Sequence, residues 1–372
     1  MRILYLSVSY VPSRSASSVH VMKMCSAFAR QGHEVELVTK LSTQRQEAGI
    51  PDDFEFYGVS ANFRISKLSR PNRKGGGLVF LRELRRTLQA RQPDLVYSRD
   101  LFGAWQATRA RFPVVYEAHG LPAGRLSSYV ARRITTSPHL RKLVVISDAL
   151  AKRWHRLELA PARCPTLVAH DACDPMPAGS SKLKKRTEEP LQVGYVGHLY
   201  PGRGVELIVE LAARMPDIQF QLVGGAQSDI ERWQERGVPR NCTLHGFVPP
   251  RDLPKFYEEF DVLLMPYQRR VGVRSGRSDT AAWMSPMKMF EYLAAGRPIL
   301  SSNLPVLREV LRDGENAILV EPDLVEQWEA ALRRMLQDPS LRLRLAATGL
   351  EDFERHHTWS ARADRVLHGI ET

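Results

Sequence analysis

Short apolar runs alternate with longer stretches of helical periodicity along almost the whole chain. That alternation limits the fold more than any other feature. Parallel strands cannot be joined by tight turns, and each crossover needs a dozen or more residues, usually a helix. In the first half, apolar runs at 2–9, 34–39, 95–98, 114–117 and 143–146 read as strands. A helix over 19–31 carries Val19, Met22, Met24, Cys25 and Phe28 on one face, and Gly32 closes it. Arg-rich helical stretches lie between the later strands. The charged segment 182–189 reads as a linker. Beyond it, strands are expected at 191–196, 219–223, 242–245, 262–266, 298–301 and 317–320. Helices are expected at 205–214, 229–236, 253–259, 286–295, 304–311 and 327–337. The stretch 341–370 is helical, with Trp359 as an apolar anchor. The expected class is α/β, with two doubly wound, Rossmann-like domains over residues 1–183 and 184–345. Such domains hold ligands at the carboxyl ends of their strands, so two facing each other make one deep cleft.

Charge separates the halves. Residues 1–180 hold 27 Lys and Arg against 14 Asp and Glu, whereas residues 187–372 hold 22 against 27. The net charge of +12 therefore belongs to the first half and the linker. Only that half is built to meet an anionic surface. A nucleic-acid partner is not expected, because no recognition motif is present and the aromatic residues do not interleave with the basic ones. No apolar run approaches the roughly 20 residues needed to span a bilayer. The apolar stretch at 1–8 lacks a small-residue cleavage site and reads as the first strand rather than a secretory leader. Four cysteines without a C-x-x-C pair suit a reducing, cytoplasmic setting and no zinc site.

The most informative segment is Ser285-Pro-Met-Lys-Met-Phe-Glu-Tyr-Leu-Ala-Ala-Gly-Arg-Pro298. Ser285 can cap a helix that begins at Pro286. The first-turn N–H groups of Met287 and Lys288 then lack internal partners, and with the helix dipole they suit a diphosphate. Lys288 adds a full charge. Glu291, about one turn on, can accept hydrogen bonds from ribose hydroxyls. An ordinary capped helix with a solvated Glu291 fits the same residues. A second segment, Val193-Gly-Tyr-Val-Gly-His-Leu-Tyr-Pro-Gly-Arg-Gly-Val205, reads as strand, loop and helix start. Gly197 permits close backbone approach, Arg203 can clamp a phosphate, and His198 can add a hydrogen bond. By itself this second pattern is weak.

Together with His245-Gly-Phe-Val248 and residues 261–266, these segments resemble the donor domain of the retaining family 4 (group 1) glycosyltransferases, which have the GT-B fold. Gln31-Gly-His-Glu-Val35, Val144-Val-Ile-Ser147 and Ala169-His-Asp171 resemble that family's first domain. The resemblance implies transfer of a sugar from a nucleotide-sugar donor with retention of configuration. It implies no cofactor and no metal at the donor phosphates. It also implies a C-terminal helix, 346–372, that returns to the first domain. By resemblance Glu291 binds the ribose, and the amides of Met287 and Lys288 hold the diphosphate. Arg203 stands where the family has a phosphate-binding Lys, and His198 where it commonly has Arg. Backbone around Gly246, Phe247 and Val248 reads the base, which the side chains leave open among UDP, GDP, ADP and TDP. His119, in Tyr116-Glu-Ala-His-Gly120, matches a histidine near the reacting sugar.

Two departures stand out. The first Glu of the family's E-x7-E pair falls on Trp283, and Asp279, four residues earlier, is a candidate substitute. The usual Gly-Gly pair after the first strand is replaced by Arg14-Ser-Ala-Ser-Ser18, in which Ser17 and Ser18 can cap the following helix. His20, His170 and His245 read as structural, and His356-His357 as a solvated pair. The acceptor expected is a saccharide, in particular a lipid-linked saccharide of cell-envelope or exopolysaccharide assembly. Basic stretches at 64–91 and 125–163 would dock on the anionic inner face of the cytoplasmic membrane. On the helix bearing Arg82, Arg85, Arg86 and Arg91, the apolar partners are Leu78, Leu81, Leu84 and Leu88. Rival readings are an epimerase of the same fold acting on a sugar nucleotide, and an inactive GT-B scaffold that binds partners.

Overall fold

The apolar runs become strands, and those inside the sheets are buried on both faces, as helix-covered parallel sheets require. The computed structural model describes residues 1–41, 46–69, 76–177, 191–272 and 279–370. They fall into two compact units. One comprises Met1–His170 and the segment from Trp359 onward, and the other is Asp171–Thr358.

The first unit holds β1 (Arg2–Leu6), β2 (Glu34–Leu41), β3 (Arg64–Ser69), β4 (Leu95–Ser98), β5 (Val114–Ala118), β6 (Leu140–Val145) and β7 (Thr166–Val168). They pair in parallel in the order β3-β2-β1-β4-β5-β6-β7. The order reverses between β1 and β4. The connecting helices are α1 (Ala16–Arg30), α2 (Asp53–Tyr57), α3 (Gly76–Arg91), α4 (Leu101–Arg109), α5 (Gly124–Thr135) and α6 (Asp148–Arg156). Helix α1 starts three residues earlier than its periodicity suggests. Its cap is Ser15, whose Oγ accepts from the Ser18 N–H at 3.3 Å, so neither Ser17 nor Ser18 caps it.

The second unit holds β8 (Gln192–Val196), β9 (Gln219–Val223), β10 (Cys242–Gly246), β11 (Val262–Met265), β12 (Ile299–Ser302) and β13 (Ile318–Val320). Their parallel order is β10-β9-β8-β11-β12-β13, reversing between β8 and β11. Its helices are α7 (Val205–Arg214), α8 (Gln227–Arg236), α9 (Leu253–Glu259), α10 (Met287–Ala294), α11 (Val325–Gln337) and α12 (Pro339–His356). Both units are thus doubly wound. No described helix is long and apolar enough to cross a membrane.

Several expectations need correction. Residues 304–311 make a short 3-10 turn at Leu307–Glu309, not a helix. The three leucines of this stretch, Leu304, Leu307 and Leu311, are buried, which produced the misleading periodicity. The stretch 341–370 is not one helix. Helix α12 ends at His356, and α13 (Trp359–Leu367) starts afresh. The break is imposed by pairing, because Cys173 N–H donates to His357 O at 3.0 Å and Cys173 bridges to Thr358. The two chain crossings therefore run side by side. The returning segment begins at Trp359 rather than 346, and residues from 171 already belong to the second unit. The expected boundary at 183/184 and the linker 182–189 lie outside the described residues.

Helix α13 is bound tightly into the first unit. Lys142 Nζ donates to the carbonyls of Val366 (3.0 Å) and His368 (2.8 Å), satisfying the helix end. Trp359 and Arg362 are buried, at 1% and 0% exposure.

Candidate active site

In the second unit the strand order reverses at the ends of β8 and β11, where open α/β sheets bind ligands. Tyr292 of α10 fixes that point. Its hydroxyl accepts from Val196 N–H at 2.8 Å and lies 3.3 Å from the Leu264 carbonyl, tying α10 to both strands. Beyond Val196 the chain turns through Gly197, with φ +150°. A Cβ there would sit 2.4 Å from Lys288 Nζ, so glycine at this position leaves room for the lysine. Gly204 caps α7 with φ +81°, and its missing side chain lets the Pro266 carbonyl approach.

Two cations converge here. Arg203 is half-buried, and its Nη1 donates to Tyr267 Oη at 2.7 Å while its guanidinium lies 5.1 Å from that ring's centre. Lys288 is 9% exposed, with Nζ 3.8 Å from the centre of the Tyr195 ring and 5.3 Å from that of Tyr267. Among the described residues, Lys288 Nζ and Arg203 Nε have no hydrogen-bond partner, and no carboxylate pairs with either side chain. Burial, reinforced by Arg203, pushes the Lys288 ammonium well below its ordinary pKa. Glu291 offsets this only in part, and a buried cation without a hydrogen-bonded counter-charge is costly unless a ligand supplies one.

The helix start differs from expectation. Helix α10 begins at Met287 with Pro286 at the cap position and no side-chain cap. Ser285 Oγ instead accepts from Asp171 N–H at 2.8 Å. It is taken up in holding the first crossing segment. The first-turn amides of Met287 and Lys288, left without intrahelical acceptors, remain available to an anion.

Glu291 lies on the second turn and is half-buried. Its Oε2 accepts from Tyr257 Oη at 3.0 Å. Burial and the neighbouring Glu291 hold the Tyr257 phenol well above its ordinary range, so it stays a donor. His198 stacks flat on Tyr200, centroids 4.7 Å apart and planes within 7°, and its carbonyl accepts from Tyr195 Oη at 2.6 Å. Phe247 and Val248 are half-buried just past Gly246, which takes φ +71°. Asp279 has a structural use. Its Oδ1 accepts from the N–H groups of Val271 (2.9 Å) and Ala281 (3.0 Å), which closes its loop and holds its carboxyl below the usual range. The loop's centre, 273–278, lies outside the described residues. Sequence reading missed Tyr195, Tyr257 and Tyr267, because a tyrosine's service to another side chain leaves no local pattern.

His119 belongs to the first unit, one residue past the end of β5. Its Nε2 is hydrogen-bonded to Glu117 Oε1. Glu117 is fully buried and collects further partners. Tyr97 Oη donates to it, His20 Nε2 lies 3.0 Å away, and Arg362 Nη1 lies 3.2 Å away. Arg362 and the other charges hold this carboxyl well below its ordinary range despite burial. Burial and then nearby Arg99, outweighing Glu117, push the His119 imidazole down to about 4, so it is neutral at pH 7. His20, His119 and Glu117 bring possible metal-ligating atoms within 4.8 Å of one another, but Arg362 already supplies the positive charge beside that carboxylate.

Of the other histidines, His20 is buried between His119 and Trp359, with ring centres 5.1 and 5.0 Å away. The His170 carbonyl accepts from Arg362 Nε at 2.8 Å. His245 bonds Gln221 at 2.9 Å. His357 is not solvated as expected; its ring packs 5.0 Å from Phe290 of α10, and only His356 is exposed.

Comparison with known proteins bears on both units. Residues 17–168 match the family model described as Glycosyltransferase Family 4. Residues 203–368 match the one described as Glycosyl transferase-like. The chain is 23% identical to a D-inositol 3-phosphate glycosyltransferase of Corynebacterium glutamicum, over 98% of this chain and 95% of that protein. It is 24% identical to a phosphatidyl-myo-inositol mannosyltransferase of Mycobacterium tuberculosis, over 95% and 92%. Among solved structures, HepE of Anabaena in complex with UDP superposes with a TM-score of 0.74 at 15% identity, covering 98% of each chain. Sucrose-phosphate synthase of Thermosynechococcus elongatus does so with 0.74 at 20% identity, over 98% and 96%.

Proposed function

We propose that this chain, which belongs to the family 4 (group 1) glycosyltransferases, moves a sugar from a nucleotide-sugar donor to an acceptor hydroxyl with retention of configuration. The observation that carries the reading is the pair of cations, Arg203 and Lys288, at the strand-order reversal beside the first turn of α10. A nucleoside diphosphate supplies the counter-charge they lack. The solved HepE complexes hold UDP and UDP-glucose on the same fold.

In this mechanism Arg203, Lys288 and the amides of Met287 and Lys288 neutralise charge that builds on the departing diphosphate, without a metal. The bond from sugar to phosphate breaks, the sugar gains oxocarbenium character, and the acceptor hydroxyl attacks from the same face. Glu291, oriented by Tyr257, holds the ribose. His119 stands beside the reacting sugar.

The acceptor class proposed is a lipid-linked saccharide of cell-envelope or exopolysaccharide assembly, met at the inner face of the membrane. Helix α5 supports this better than α3. On α3, Leu84 and Leu88 are core residues, and only Leu78 projects fully, at 70% exposure. On α5, Leu126 (66%) and Tyr129 (57%) project beside the exposed Arg125 and Arg133. Apolar side chains among arginines suit an anionic interface.

Thermal unfolding with UDP, GDP, ADP and TDP tests the donor site. Ligand at about 100 times its dissociation constant adds roughly 2.7 kcal/mol. One nucleotide should raise the Tm of the wild type but not of Glu291→Ala. No shift with any of the four would refute the assignment.

A further inference from the structure

Glu117 has no part in the donor site, yet it is among the most heavily partnered side chains described. Four elements bring groups to its carboxylate. Helix α1 brings His20, β4 and the residue after it bring Tyr97 and Arg99, α13 brings Arg362, and its own strand leads to His119. Both Glu117 and Arg362 are 0% exposed at their side chains, whereas the His119 side chain is 26% exposed. The buried groups thus converge on one carboxylate, and of the rings named here, those of His20, Tyr97 and His119, that of His119 reaches solvent. Arg362 is itself fixed by its bonds to the carbonyls of Ala169 (3.1 Å) and His170 (2.8 Å).

An ionised carboxylate only accepts hydrogen bonds, so the His119 Nε2 that meets it must carry the proton. A neutral imidazole with Nε2–H has a lone pair on Nδ1. Among the described residues, His119 Nδ1 has no hydrogen-bond partner. We infer that Glu117 is the positioning residue for His119. It fixes the Nε2–H tautomer and the ring's orientation, so that Nδ1 is presented as an acceptor to a hydroxyl of the substrate, and Arg362 of α13 keeps the carboxylate in place. The inference rests on the reading of His119 as the residue beside the reacting sugar. It adds a preference: the group facing Nδ1 must be a donor, so a sugar bearing a carboxylate at that point is refused.

Histidine labelled with 15N at both ring nitrogens tests the tautomer directly, with His119→Asn assigning the resonance. At pH 7 the wild type should show a protonated Nε2 and an unprotonated Nδ1. The opposite tautomer, or an even mixture, overturns the inference without any variant. In Glu117→Gln the single tautomer should give way to a mixture, and in Arg362→Lys, which keeps the charge, it should persist. An unchanged spectrum in Glu117→Gln also overturns it. Hydrolysis of UDP-glucose as probe gives the second readout. Glu117→Gln should lower kcat about tenfold or more, with KM within about threefold. In the His119→Asn background the same change should cost less than about twofold, because residues acting through one another are not additive. An equal loss in both backgrounds would make Glu117 merely structural. Full activity of His119→Asn would instead refute the role of His119 itself, leaving the tautomer to be judged by its spectrum.

Discussion

Arg362 Nη1 lies 3.2 Å from Glu117 Oε2, joining two fully buried side chains that are 245 residues apart in sequence. Removing one partner of such a pair leaves the other charge buried and uncompensated, which costs about 3–5 kcal/mol. Arg362→Ala should therefore lower unfolding stability by about that amount in urea titration. Combining Arg362→Met with Glu117→Gln should cost clearly less than the sum of the two single changes. Simple additivity would mean that the pair is not a coupled unit.

Lys288 should trade stability for binding. Its pKa is depressed in the folded state by burial, so the folded chain holds fewer protons than the unfolded chain between the folded and unfolded pKa values. Stability attributable to this group is lowest at acid pH and rises across that window. Lys288→Met, which removes the charge, should stabilise the nucleotide-free protein at pH 7 by about 0.5–2 kcal/mol and abolish the nucleotide-induced Tm shift. A diphosphate favours the cation, so binding above the folded pKa should take up a proton. Binding enthalpies measured in buffers of different ionisation heat will show it, and affinity should fall as pH rises.

Tyr257→Phe deletes only the hydroxyl that donates to Glu291. We expect nucleotide affinity to fall by about three- to tenfold, on the order of 0.5–1.5 kcal/mol, in calorimetric titration. Unchanged affinity would show that Glu291 needs no orientation.

The first unit should be acid-sensitive. The His119 imidazole is pushed down to about 4, so the unfolded chain binds its proton first, and stability is lost as pH falls from about 6.5 toward 4. Glu117, held low by Arg362, adds a loss in the same direction once pH drops below the ordinary carboxylate range. Unfolding followed between pH 7 and 4 should show a decline of about 1–3 kcal/mol, reduced in His119→Asn.

Docking through α5 predicts that Leu126→Asp with Tyr129→Ser will cut binding to vesicles containing anionic phosphatidylglycerol at least about tenfold. Nucleotide-induced thermal shifts should be unaffected, since both residues project from the first unit.

The sequence was most legible where a residue's partners lie close in the chain. The strands β4, β5, β8 and β11 are short, mainly apolar runs, because both of their faces are covered, with Glu117 of β5 the charged exception among them. Gly197 and Arg203 announced themselves by residue type in the turn between β8 and α7, and Lys288 did so in the first turn of α10. What stayed hidden depends on distant partners. Strand β3, with the sequence Arg-Ile-Ser-Lys-Leu-Ser, carries charge and no apolar run, and it exists because it pairs with β2 at the sheet edge. Ser285 has the chemistry of a helix cap but serves Asp171, 114 residues away. Arg362 sits in a helix whose pattern looks ordinary, and only the fold reveals that it faces Glu117. Asp279 stands out in sequence by its position relative to Glu291, and only the fold reveals that its Oδ1 also holds two N–H groups of its own loop.

Because Trp359 and Arg362 complete a unit that begins at Met1, that unit is discontinuous, and this sets an order on its manufacture. A ribosome releases β1–β7 long before α13 exists. Until residues 359–370 emerge, Glu117 waits in the nascent core without its arginine, and the trough under Trp359 stays open to chaperones and proteases. The second unit, whose chain is continuous from 171 to 358, can finish first, so the half made earlier matures last.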